Sequence, residues 1–359
     1  MSEDVSDVHV QRFQRLPAPG TLRTQIALDA PGASIVRLAR ASLRAAISGS
    51  DARRLVVVVG PCSIHDDEQA LEYARRLRPL CDETRDELVV VMRTYFEKPR
   101  TTVGWKGYLA DPRLDGNEDV EAGLAGARNL LLRILALGVP CGTEFLDPIT
   151  PQYLADLISW AAIGARTTES QTHRVMASGL SMPVGFKNGT DGNVTTAVNA
   201  MIAARAPHAF LGVDAEGRAA VVQTTGNPDL HLVLRGGRSG PNYDAESVVS
   251  AARAVEAQGV LRPVMVDCSH DNSNKDPEQQ AAVCRQVLTE RAEGLLGVLI
   301  ESHLEAGRQD WTPGATLRPG VSITDACIGF AETADLLREA AARVRSGKPQ
   351  AMRRLQRSA

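Results

Sequence analysis

The chain contains no apolar run long enough and free enough of charge to cross a bilayer, and its opening stretch MSEDVSDVHVQRF is acidic, without the apolar centre of a secretion signal. Neither insertion nor export is expected. A basic excess is also lacking: 40 Lys and Arg stand against 43 Asp and Glu, a net charge of −3. Nothing sequence-wide would track a nucleic-acid backbone or an anionic membrane, so neither is expected as a partner, and any anion-binding charge must be local. The six cysteines (Cys62, Cys81, Cys141, Cys268, Cys284 and Cys327) lack tight pairing. A chain of 359 residues buries a core without disulfides, and a reducing cytoplasm is the expected location. Internal repeats and low-complexity tracts are missing too.

What is present, from Leu55 onward, is an alternation of short β-branched runs with amphipathic helical stretches, the pattern of parallel βα units. The runs are LVVVVG from Leu55, ELVVVMR from Glu87, VPCGTEFL from Val139, AAIGAR from Ala161, PVGFKN from Pro183, HLVLRGG from His231, PVMVDCSH from Pro263 and LLGVLIES from Leu295. That number closes an α/β barrel, and helix-like segments lie between: EQALEYARRLRPL, EAGLAGARNLLLRILALG, TPQYLADLISWA, TAVNAMIAARA, AESVVSAARAVEAQG and PEQQAAVCRQVLTERAEG. Two segments fall outside the repeating unit. One is the N-terminal fifty or so residues. The other runs from Ala209 to Thr225, where HAFLGVD and AAVVQTT flank Asp214, Ala215, Glu216 and Gly217 and predict a β-ribbon inserted before the sixth strand. The expected fold is a (β/α)8 TIM barrel, divided into an N-terminal arm and helix (1–52), the barrel (53–346, ribbon at about 209–226) and a C-terminal tail (347–359). The Pro- and Gly-rich stretch from Arg308 to Gly320 reads as a surface loop after the eighth strand.

In such a barrel the reactive end is the C-terminal end of the strands, so the residues just after each run carry the information. Cys62 follows the first. Arg93, then Lys98, Arg100 and Thr101, follow the second, and Glu144, Arg166, Lys187 and Arg235 follow the third to sixth. The seventh ends in Cys268, Ser269 and His270, the eighth in Glu301, Ser302 and His303, and the next helix is expected to open with Thr324 and Asp325. Taken singly, each has a bland reading: a cysteine after a strand is usually a small buried hydrophobe, a lysine or arginine a solvated charge, a histidine a structural hydrogen-bonding residue. Their joint placement at one barrel end is what points to chemistry. A ring of Arg and Lys suits small, multiply anionic substrates. One Cys, one His and two carboxylates make a mixed S/N/O set that suits a divalent transition metal better than magnesium. His65 and His303 lie near enough the mouth for an outer-shell role, while His9, His173, His208 and His231 read as structural.

At these residues the chain closely resembles the type I microbial 3-deoxy-D-arabino-heptulosonate 7-phosphate (DAHP) synthases, over nearly the whole length from about Asp51 to Glu332. The matching stretches are GPCSIHD from Gly60, MRTYFEKPRTTVGWKG from Met92, GTEFLDPITPQYLADLISWAAIGARTTESQ from Gly142, PVGFKNGTDG from Pro183, LRGG from Leu234, VDCSH from Val266, IESHL from Ile300 and SITDACIG from Ser322. The resemblance implies the first step of the shikimate pathway, in which phosphoenolpyruvate and erythrose 4-phosphate condense with water to give DAHP and phosphate. It implies that Cys62, His270, Glu301 and Asp325 hold a divalent manganese, iron, cobalt or zinc ion. By the same resemblance Arg166, Lys187 and Arg235 grip the phosphoenolpyruvate phosphate, Arg93, Lys98 and Lys187 face its carboxylate, and Arg100 and Thr101 engage the aldose phosphate. Lys98 would stabilise the developing aldehyde oxyanion, and Glu144, with Lys187, is the candidate for orienting the water. The sequence departs from the family at Phe330, where Trp is common, at Pro319, where Tyr is usual, and at Glu305 to Arg308. None of these is a proposed ligand or phosphate cation.

The resemblance also implies a homodimer or homotetramer inhibited by an aromatic amino acid. The effector would lie among Asp7 of one subunit and Pro151, Gln152, Ser181, Phe210 and Gly212 of another. Gly212 stands where some members carry Ser, which leaves room for a hydroxyl and favours tyrosine. The alternatives are a related synthase acting on arabinose 5-phosphate, against which the KPRTT loop speaks, and a non-catalytic effector-binding paralogue, against which the intact cation ring speaks.

Overall fold

The computed structural model describes residues 5–100, 102–256 and 263–347. Thr101 and nearly all of the 347–359 tail lie outside them. Eight aliphatic runs form parallel strands: β1 (Leu55–Gly60), β2 (Leu88–Arg93), β3 (Cys141–Glu144), β4 (Ile158–Ile163), β5 (Val184–Lys187), then, after a ribbon of β6 (Ala209–Val213) and β7 (Ala219–Gln223), β8 (Leu230–Leu234), β9 (Val264–Asp267) and β10 (Leu295–Glu301). They close in the order β1-β10-β9-β8-β5-β4-β3-β2. Every residue of β1, β2, β5 and β10 is buried, because side chains on one face fill the barrel and those on the other meet helices, which is why these strands read as unbroken runs.

The helices are α1 (Pro19–Gln25), α2 (Ala30–Ile47), α3 (Asp67–Glu83), α4 (Val120–Ala136), α5 (Thr150–Leu154), α6 (Gln171–Ser178), α7 (Val194–Arg205), α8 (Ala245–Glu256), α9 (Pro277–Glu290) and α10 (Phe330–Ser346). Their starts are written locally. The carboxylates of Asp29, Asp66, Asp119 and Asp276 accept backbone N–H groups of the first turns of α2, α3, α4 and α9, satisfying donors that have no partner within the helix. Among the described residues no helix is long and apolar enough to cross a membrane.

Two expectations need correction. The segment TPQYLADLISWA is not one helix: α5 stops at Leu154, Ala155–Leu157 form a 3-10 turn, and Ile158 begins β4. The cause is tertiary. Arg40 of α2 donates to the carbonyls of Ala155 (2.6 Å) and Ile158 (3.0 and 2.7 Å), fixing the turn, and the β-branched and aromatic Ile158 and Trp160 fit a buried strand. Likewise Asp325 does not open a helix. It lies in a loop, held by bridges Gly307↔Cys327 and Arg308↔Ser322, and α10 begins at Phe330.

The ribbon pairs antiparallel from Ala209↔Gln223 to Val213↔Ala219. Its turn is held by Asp214, whose carboxylate accepts the N–H groups of Glu216 and Arg218, and by Gly217 at φ 75°. The turn leans on the N-terminal segment, where the N–H of Gly20 donates to Ala215 O at 2.7 Å.

Candidate active site

Five of the eight barrel strands end on a charged residue: Arg93 on β2, Glu144 on β3, Lys187 on β5, Asp267 on β9 and Glu301 on β10. Alternate strands of a closed barrel send side chains into the same layer, so the charges sort into two sets. In one, Arg93 Nη2 meets Glu301 Oε1 at 3.0 Å; in the other, Lys187 Nζ meets Asp267 Oδ2 at 3.0 Å. All four are 7% exposed or less as residues, so each charge relies on the others in place of water.

Above them opens a cavity of about 280 Å3, lined by Lys98, Arg100, Glu144, Arg166, Lys187, Arg235, His270 and Asp325, with Lys275 and Thr324. Lys275 was not singled out from the sequence. It sits at φ 61° in the loop after β9, its N–H bonded to His270 O at 2.8 Å, and its signal was only a lysine soon after a strand end. Arg93 lies beneath the lining, its guanidinium 3.9 Å from the centre of the Tyr95 ring, and its Nη1 and the Tyr95 hydroxyl have no hydrogen-bond partner among the described residues. The loop carrying Lys98 and Arg100 is fastened at Glu97, which accepts the N–H groups of Leu146 (3.2 Å) and Asp147 (3.1 Å), and by Arg166, which donates to Pro99 O at 2.9 Å. Gly164 makes room for Glu144, since a Cβ there would stand 2.2 Å from Glu144 Oε1. Arg235 is braced by an ion pair with Asp271.

At one side of the cavity, donor atoms of Cys62, Glu301 and Asp325 lie within 4.8 Å of one another. The fourth expected ligand, His270, is outside that group, but its Nε2 lies 3.8 Å from Glu301 Oε1. Its other nitrogen is fixed: Nδ1 is 2.7 Å from Ser269 Oγ, which itself donates to Asp267 Oδ1 at 2.6 Å. Ser269 therefore accepts from Nδ1–H, and Nε2 keeps its lone pair turned toward Glu301. His270 adopts this pose at φ 55°, a left-handed backbone uncommon outside glycine.

The electrostatics fit an ion. Burial, then Glu301, pushes the Cys62 thiol up to about 11, while the Lys98 ammonium, 3.1 Å from its sulfur, works the other way. Burial would lower Lys98, but Cys62, Glu301 and Asp325 hold it above its ordinary value. Burial would likewise raise Asp325, but the charge of Lys98, with Lys275 and Arg100, holds it low. A thiol, two carboxylates and an imidazole converge with only lysine and arginine charge to balance them, an arrangement a divalent cation completes.

The remaining predicted residues are dispersed differently. Thr101 is outside the described residues. Pro151, Gln152, Ser181 and Phe210 line a second cavity of about 340 Å3 together with Arg23, Arg40 and Asp156; Gly212 and Asp7 are not in its lining. The buried rings of His65 and His303 stand 5.5 Å apart, and the His65 ring nitrogens have no well-aligned hydrogen-bond partner among the described residues.

Fold and mouth together define a (β/α)8 barrel enzyme for small, multiply anionic substrates. The DAHP synthetase I family model matches residues 32–338. The chain is 52% identical over 339 residues to the Tyr-sensitive phospho-2-dehydro-3-deoxyheptonate aldolase of Escherichia coli, covering 93% of this chain and 95% of the relative. It is 49% identical over 349 residues to the Phe-sensitive one of the same organism, covering 96% and 99%. Among solved structures it is similar to the phospho-2-dehydro-3-deoxyheptonate aldolase of Francisella tularensis, with a TM-score of 0.90, 44% identity and coverage of 94% and 98%. The chain belongs to the DAHP synthetase I family, and its activity is that of a DAHP synthase of the shikimate pathway.

Proposed function

We propose that the mouth binds phosphoenolpyruvate and erythrose 4-phosphate side by side and joins them, with Cys62, His270, Glu301 and Asp325 holding a divalent transition ion. Manganese, iron, cobalt and zinc all suit the donor set. When bound, the ion supplies Lewis acidity toward the aldehyde. Arg166, Lys187 and Arg235 grip the phosphate of phosphoenolpyruvate and Arg93, Lys98 and Lys187 its carboxylate, while Arg100 and Thr101 take the aldose phosphate. C3 of the enol then bonds to the aldehyde carbon and Lys98 stabilises the oxygen that becomes negative. Glu144, supported by Lys187, orients the water that adds at C2 and takes its proton, and phosphate leaves with C–O cleavage.

The observation that carries this reading is that Asp325 lines the cavity of the cation ring and lies within 4.8 Å of the Cys62 and Glu301 donor atoms beside it. Phosphate release from phosphoenolpyruvate, followed with erythrose 4-phosphate, with arabinose 5-phosphate and with neither, after loading with each metal, tests it. Release only with erythrose 4-phosphate and a metal is expected; release with neither aldose under any metal refutes it.

The second cavity is suited to an aromatic amino acid: Arg23 and Arg40 offer charge to a carboxylate, Asp156 to an ammonium, and Phe210 a ring to stack on. The E. coli relatives are named for sensitivity to Tyr and to Phe. Titrating the activity with each of the aromatic amino acids tests the site, and Gln152→Ala should weaken the inhibition. The exposed Leu211 and Val221 of the ribbon and Val8 and Phe13 of the arm are suited to contacts in a homodimer or homotetramer. All six cysteines are free, which accords with work in the cytoplasm.

A further inference from the structure

Asp267 ends β9, is 0% exposed, and has no part in the contacts proposed above. Its Oδ1 accepts from the backbone N–H of Ser269 at 3.0 Å and from Ser269 Oγ at 2.6 Å, which pins the carboxylate. Its Oδ2 lies 3.0 Å from Lys187 Nζ and 2.8 Å from His270 Nδ1, yet accepts no well-aligned hydrogen bond from either. One buried oxygen thus stands between the side chain assigned to the ion and the side chain assigned to the phospho-enol substrate. Two donors on one oxygen share its charge, so strengthening one contact weakens the other.

The direction follows from charge. A cation at His270 Nε2 makes the imidazole more positive and draws the charge of Oδ2 toward it, beside the Nδ1–H bond to Ser269 Oγ. The Lys187 ammonium then loses part of its internal counter-charge and turns to an incoming anion. Linkage makes the effect reciprocal: a substrate anion on Lys187 leaves Oδ2 to the imidazole and strengthens its hold on the cation.

We infer that Asp267 is a positioning residue that couples the ion site to the phosphoenolpyruvate site through His270 and Lys187, so that filling either raises affinity for the other. The inference rests on the ligand and substrate assignments of the preceding subsection.

Calorimetric titration of the full chain with phosphoenolpyruvate alone, with and without Mn2+, tests it without any turnover. Wild type is expected to bind the substrate more tightly with Mn2+, by a factor within the range of about 5 to 150 usual for coupled sites. Asp267→Asn keeps the shape and removes the charge. It should erase that factor and weaken Mn2+ itself by about 10- to 100-fold, with an unchanged far-ultraviolet circular dichroism spectrum. A wild type indifferent to Mn2+, or an Asp267→Asn chain with the wild-type factor, overturns the coupling. Should Asp267→Asn fail to fold, Ser269→Ala releases Oδ1 while leaving the charge, and an unreduced factor there overturns it equally. Lys187→Met separates the two layers of the argument. If it binds phosphoenolpyruvate as wild type does, the substrate assignment falls and the coupling with it; if it binds weakly while Asp267→Asn stays coupled, the coupling alone falls.

Discussion

The interior and underside of the barrel treat polar groups in the opposite way from its mouth. Below, the large buried polar side chains are answered, although Ser159 Oγ on β4 is not. Arg128, 0% exposed, gives its guanidinium to Ile26 O, Tyr153 O and both oxygens of Asp156, and Trp160 Nε1–H donates to His231 Nε2 at 2.9 Å while His231 Nδ1 donates to Leu232 O at 3.0 Å. At the mouth, Arg93 Nη1, Tyr95 Oη and Asp267 Oδ2 are buried without a hydrogen-bond partner among the described residues, and His270 sits at φ 55°. Unmet hydrogen-bonding capacity and backbone strain destabilise a fold, and here they collect where substrates are proposed to bind. The underside holds the barrel together; the mouth keeps groups in reserve for ligands.

The contrast breaks most sharply at Cys62. Cys62→Ala removes one donor of the converging set and no core contact of size, so turnover should fall by more than the roughly 100-fold that loss of an outer-shell partner can cost, with the unfolding midpoint in urea little changed. Assays and bound-metal analysis on the same preparation decide it, and a metal-free variant that still turns over would remove the ion from the scheme.

The opposite substitution is Arg128→Met. It strips acceptors at Ile26, Tyr153 and Asp156 and leaves Asp156, 28% exposed in its side chain, partly uncompensated. A loss of about 3 kcal/mol is expected, read from urea midpoints, with KM for phosphoenolpyruvate unchanged in the folded fraction. A large change in KM with little loss of stability would invert the comparison.

Acid probes the interior in another way. Burial lowers His231 from 6.5 to about 4, against the pull of its bond to Leu232 O. The unfolded chain therefore binds a proton there at a higher pH than the folded chain, and the stability from a neutral His231 is present above about 6.5 and lost as pH falls toward 4. Between about pH 7 and pH 5 this residue alone should cost about 2 kcal/mol. His231→Gln keeps an acceptor for Trp160 and removes the titration, so its stability should depend less on pH over that interval. An equal slope in variant and wild type would place the acid sensitivity elsewhere.

The barrel was legible because strands buried on both faces spell themselves as β-branched runs, and the mouth because strand ends in a closed barrel all face one way. Cys62, Glu144, Arg166, Lys187 and Arg235 were separable from other charges by that rule, whereas Lys98 and Asp325 lie farther from their strand ends and stood out through the resemblance. Where the rule loses force, so did the reading. TPQYLADLISWA carries helix-like spacing across a helix end, and only Arg40, far away in the chain, decides where the strand begins. Asp267 was missed because, lying inside VMVD, it looks like the last strand residue before the Cys, Ser and His that draw attention. Whether a strand-final carboxylate faces an imidazole or the solvent is set by barrel register, which no local pattern carries.

The smallest expected effect lies at the rim. Unlike Arg93, Arg166 is exposed to the cavity, and its hydrogen-bond partner among the described residues is Pro99 O at 2.9 Å, so removing it leaves no described buried anion behind. Arg166→Ala should therefore spare the fold and raise KM for phosphoenolpyruvate roughly tenfold, the worth of one charge-assisted contact of about 1.5 kcal/mol. KM for erythrose 4-phosphate should hardly move. Arg166→Lys keeps the charge and loses the fork, and it should recover part of the loss if the contact is mainly electrostatic, or none if two parallel hydrogen bonds matter. A rise in both KM values would mean that Arg166 acts through its bond to Pro99, by holding the Lys98 and Arg100 loop in place, and the division of the mouth into a phosphoenolpyruvate half and an aldose half would then have to be redrawn.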